Sequence, residues 1–69
     1  MRGALRQLGR QIGSRRRELG LSLEEAAGRA EIDPKHWAAI EHALTNATVA
    51  SLVGIASALR VEIRDLFAA

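Results

Sequence analysis

The side chains that could do chemistry in this sequence are few, and their spacing excludes most of it. His36 and His42 stand six apart. On a helix they point in different directions, whereas two imidazoles that share a metal from one helix stand four apart. No Cys is present, so there is no thiolate zinc site and no disulfide framework. Ser14, Ser22, Ser51 and Ser57 have no base at a spacing that would activate them, and no strand leads into a glycine-rich phosphate loop. The expectation is therefore a protein that is not an enzyme, with no metal, no cofactor and no small-molecule ligand.

The chemistry that remains is charge. Net charge is only +2, but its layout is uneven. Arg2, Arg6, Arg10, Arg15, Arg16 and Arg17 crowd the first 17 residues, where there is no acid. Glu18, Glu24, Glu25, Glu31 and Asp33 follow, against Arg29. Such a block points either to a polyanion partner or to a solvated helix face. With 69 residues the chain is expected to form one domain. No apolar run approaches the roughly 20 residues that span a bilayer, and Arg2 and Arg6 do not precede the apolar block of a signal peptide. These features, with the missing Cys, lead us to expect a cytoplasmic protein that does not bind membranes.

Five short helices must position these groups. Aromatic residues make up 3%, and no alternating β-branched run appears, which predicts an all-α domain. Leu5, Leu8, Ile12 and Leu19 mark one stripe at helical spacing, and Arg16 fills its gap. A guanidinium aimed into an apolar face needs an acid from elsewhere. Gly20 suits the stop of this helix, and Ser22 with Glu25 reads as a capping box for a second helix over 23–30, with Ala26, Ala27 and Ala30 inward. In "EIDPKHWAAIEH", Asp33 caps and Pro34 opens a third helix. Trp37 and Ile40 form its buried stripe. Glu41 borders that stripe and is the best acid for Arg16. Thr48 caps a fourth helix with an expected stripe of Val49, Leu52, Ile55, Ala56 and Leu59. "VEIRDLF" predicts a short fifth helix burying Ile63, Leu66 and Phe67.

A three-residue turn between the second and third helices makes a helix-turn-helix unit at about 22–43. "GLSLEEAAGRAEIDPKHWAAIE" resembles the core of the Cro/lambda-repressor-like (XRE family) regulators, and "TVASLVGIASALRVEIRDLF" resembles their closing helices. The resemblance runs from about Leu8 to Phe67. It implies a compact five-helix lambda-repressor-like fold and a DNA-binding transcriptional regulator. By position it implies that Pro34, Lys35, His36 and Ala39 face base edges. Ser22, Leu23, Thr45, Asn46 and Arg16 would lie near phosphates, joined by Arg10, Arg15 and Arg17 if the open side of the first helix faces the duplex. It also implies a structural Arg16–Glu41 pair and a homodimer on double-stranded DNA. Val53, Val61, Ile63, Leu66 and Phe67 are its interface candidates. The sequence departs from the family's usual Gly at Glu31 and Ala43, and Trp37 replaces a usual aliphatic residue.

A second reading competes. Leu23, Ala38, Ala39 and Ala43 make the would-be DNA face bland. The scaffold could instead serve as a protein-interaction or dimerisation module that no longer reads DNA. The arginine-rich first helix, Lys35 and the Thr-Asn-Ala-Thr loop favour DNA.

Overall fold

The computed structural model describes residues 2–67; the side chain of Arg2 lies outside the described residues. Helix α1 is Arg2–Glu18, α2 is Leu23–Ala30, α3 is Pro34–Glu41 and α4 is Val49–Leu59, followed by a 3-10 helix at Ile63–Phe67. The expected fifth helix is thus a tighter single stretch. Its Leu66 enters the core, while Ile63 is half-buried and Phe67 stays half-exposed.

Local chemistry sets the helix starts. Ser22 Oγ accepts the Glu25 N–H at 3.0 Å, and the Glu25 carboxylate accepts the Ser22 N–H at 2.9 Å. Those bonds to Ser22 hold the Glu25 carboxyl below its ordinary pKa. Asp33 accepts the Lys35 N–H at 2.7 Å, and Pro34 occupies a position where its missing N–H costs nothing. Thr48 accepts the Ser51 N–H at 3.0 Å.

The ends follow one pattern. The N–H groups of Leu21, Ile32, Leu44 and Val61 each reach back to the carbonyl five residues earlier, at 2.9–3.1 Å. This closure requires a left-handed residue just before each donor. Glu31, Ala43 and Arg60 adopt it without being glycine, with φ of 58°, 59° and 58°. Each stores about 1–2 kcal/mol of backbone strain.

The core gathers Leu8 and Ile12 of α1, Ala26, Ala27 and Ala30 of α2, Trp37 and Ile40 of α3, and the inner face of α4. Leu21 and Ala58 join it. Trp37 and Ala26 are both fully buried, consistent with a large side chain accommodated beside a helix of small ones. Besides Phe67, a second expected core position fails: Val49 is 75% exposed. It shares the phase of the α4 stripe, but burial begins one turn later, at Leu52. Among the described residues no helix is long and apolar enough to cross a membrane, and no cluster of His, Asp or Glu could hold a metal ion.

Candidate nucleic-acid interface

The site is built around α3, whose two ends have opposite characters. At the C-terminal end, α1 crosses so closely that a Cβ on Gly9 would fall 2.3 Å from the Glu41 carbonyl oxygen. A Cβ on Gly13 would come within 3.0 Å of Glu41 Oε1. Both glycines therefore serve one contact, the approach of α1 to the end of α3.

Glu41 fills this seam. Arg16 Nε donates to Oε2 at 2.7 Å and Arg16 Nη2 donates to Oε1 at 3.2 Å, a two-pronged pairing of planar groups. Arg16 Nη1 donates to the Leu21 carbonyl at 3.0 Å, tying in the start of the helix-turn-helix unit. The indole N–H of Trp37 donates to Oε2 as well. The Arg16 and Glu41 side chains are only 14% and 8% exposed. Burial pushes the Glu41 carboxyl toward its neutral form. The bonds from Arg16 and Trp37, with the charges of Arg16 and Arg17, outweigh that and hold its pKa below the ordinary value. The bond to Glu41 raises the pKa of Arg16, more than offsetting burial.

At the N-terminal end the chain is open. Pro34 and Lys35 are exposed, and His36 and Ala39 are half-buried. Ser22 is exposed, while Leu23 is half-buried against the core. In the loop after α3, Asn46 is exposed and Thr45 half-buried, its hydroxyl 3.5 Å from the Asn46 carbonyl. Arg6, Arg10 and Arg17 lie exposed along α1. Arg15 does not join them, because its Nε donates to the Leu59 carbonyl at 3.2 Å, at the end of α4. A cation there satisfies the terminal carbonyls of a helix.

Of the interface candidates, Leu66 is withdrawn: at 2% exposure it completes the core of its own chain. Val53 and Phe67 are each 51% exposed, and Val61 and Ile63 are half-buried against the core. Sequence reasoning missed the exposed Leu44, at 78%, and Val49. It also missed the bond from Trp37 to Glu41. The signal was present, since a buried indole N–H needs an acceptor and Glu41 stands four residues on, on the same helix face.

A short α2, a left-handed turn and an α3 with a free leading end are the parts of a helix-turn-helix DNA-binding unit. The chain belongs to the helix-turn-helix domain family, whose model matches residues 7–69, and it is a DNA-binding transcriptional regulator of the Cro/lambda-repressor-like kind, not an enzyme. Among solved structures it is similar to the restriction–modification controller protein C.AhdI from Aeromonas hydrophila. Identity is 28% and the TM-score 0.89, over 91% of this chain and 96% of that one. It shares its fold with the clp gene regulator ClgR from C. glutamicum, at 22% identity and a TM-score of 0.84, over 91% of this chain and 82% of that one. No curated protein sequence matches it.

Proposed function

We propose that this regulator binds a palindromic operator as a homodimer, with the leading end of α3 in the major groove of each half-site. The observation that carries the reading is the contrast along α3: a charged clasp holds its trailing end to α1, while Pro34 and Lys35 are left exposed and His36 half-buried beside them. Lys35 donates to guanine O6 or N7, and His36 to a base or a phosphate. Pro34 and Ala39 offer apolar contact to a thymine methyl. So few readers give modest base discrimination. Phosphate contacts from Arg10, Arg17, Asn46 and the backbone N–H at the start of α2 supply affinity, and DNA shape supplies part of the specificity.

Duplication repairs the weakness of a single copy. Val53 and Phe67, each half-exposed, are assigned to the interface with the second copy together with Val61 and Ile63, and the similarity to a restriction–modification controller protein supports the regulator reading. Selection from random duplexes tests this reading. It should enrich a two-fold symmetric site with half-sites about 10 base pairs apart, centre to centre. Enrichment of no sequence would refute it and favour a protein-interaction module.

A further inference from the structure

We propose that Trp37 is a positioning residue for DNA reading: its indole N–H fixes the Glu41 carboxylate, which fixes Arg16 and so the pose in which α3 presents Pro34–His36. The inference rests on the reading of α3 as the DNA-contacting helix.

Three features single out Trp37. It is fully buried, so its N–H must find an acceptor inside the protein, and Glu41 Oε2 is that acceptor. The same oxygen receives Arg16 Nε at 2.7 Å, so the indole and the guanidinium meet on one atom from two different helices. The seat has no slack beside it, because even a Cβ at Gly13 would come within 3.0 Å of Oε1. An aliphatic residue at this position would fill space, but it would leave the carboxylate held by α1 alone, with no hydrogen bond that ties it to α3. The indole instead braces it from within α3, one turn from Pro34. Helix and carboxylate then move as one body, and the orientation of α3 about its axis is set by Arg16 and Leu21 on the far side. The charges acting on this carboxylate are Arg16 and Arg17, both from α1.

The chain has one Trp, so it shows a single indole N–H resonance. In the wild-type protein that resonance should lie downfield and should move with acid along the same curve as the Glu41 side-chain carbonyl carbon. An indole proton indifferent to the Glu41 titration would overturn the proposal. A double-mutant cycle on duplex affinity tests the consequence. Trp37→Phe should weaken binding roughly tenfold, the loss expected for a hydrogen bond to a charged group. In a Glu41→Met background the same change should cost less than about twofold, because the acceptor is gone. Equal losses in both backgrounds would show that Trp37 acts by packing alone and would contradict the proposal. If Glu41→Met does not fold, the wild-type titration alone decides. If the wild-type protein binds no duplex, the proposed function and its positioning role fail together, whereas an indifferent indole beside intact DNA binding overturns only this inference.

Discussion

The two ends of the eight-residue α3 follow opposite rules. At the trailing end every strong polar group is answered: Glu41 by Arg16 and Trp37, Arg16 by the Leu21 carbonyl. At the leading end Lys35 and Pro34 are exposed, and only the Asp33 cap is fixed. The difference teaches how a helix this short can act as a probe. A free helix of eight residues is marginal in water. Here its rigidity comes from the clasped end, so the proposed reading end can be left to solvent and to a partner.

The comparison breaks most completely at the locked end. Glu41→Ala leaves a mostly buried guanidinium without its partner and should cost about 3–5 kcal/mol, a large share of what a small domain has. Urea unfolding measures it. Gly9→Ala attacks the same place sterically, forcing a methyl group to within 2.3 Å of a backbone carbonyl. It should cost about 1–3 kcal/mol or more, seen as a lower melting temperature with Arg16 and Glu41 unchanged.

Acid weakens that end reversibly. The Glu41 carboxyl is held below its ordinary pKa in the folded protein, so the unfolded chain binds its proton first as pH falls. The stabilisation is complete above the ordinary glutamate value of about 4.3. It is lost as pH falls through the lower, folded-state value. Urea midpoints compared at neutral pH and near pH 3 should therefore drop less in Glu41→Gln than in the wild type.

Smaller effects sharpen the contrast from the flanks. The turns on either side of α3 hold Glu31 and Ala43 at φ of 58° and 59°. Glu31→Gly and Ala43→Gly should each stabilise the protein by about 1 kcal/mol, read as a raised melting temperature.

Much of the locked end was legible in the sequence. Arg16 falls in the phase of an apolar stripe, and a charge in that place demands an acid; Glu41 was the acid beside a buried stripe. The sequence departs from the family's usual glycines at 31 and 43, and the structure holds both positions in the left-handed conformation. Trp37 was harder. Periodicity places a ring inside but does not say which acceptor its N–H will meet. Val49 and Phe67 show the other limit. Their phase was readable, but exposure depends on where the neighbouring element stops, and no helical period encodes that. The common purpose of Gly9 and Gly13 was not legible, because it depends on where α3 passes. The proposed interface with DNA rests on family resemblance, because exposed residues carry no packing constraint that would reveal their partners.

The central claim is that the open end of α3 meets a duplex, and a salt titration of duplex binding by wild type and Lys35→Ala tests it most directly. Lys35 is exposed, so its loss should change stability by no more than about 0.5 kcal/mol. The account predicts that log affinity falls steeply with log salt in the wild type. It predicts weaker binding in Lys35→Ala, with a slope flatter by about one unit. Binding that ignores both salt and Lys35 would contradict it.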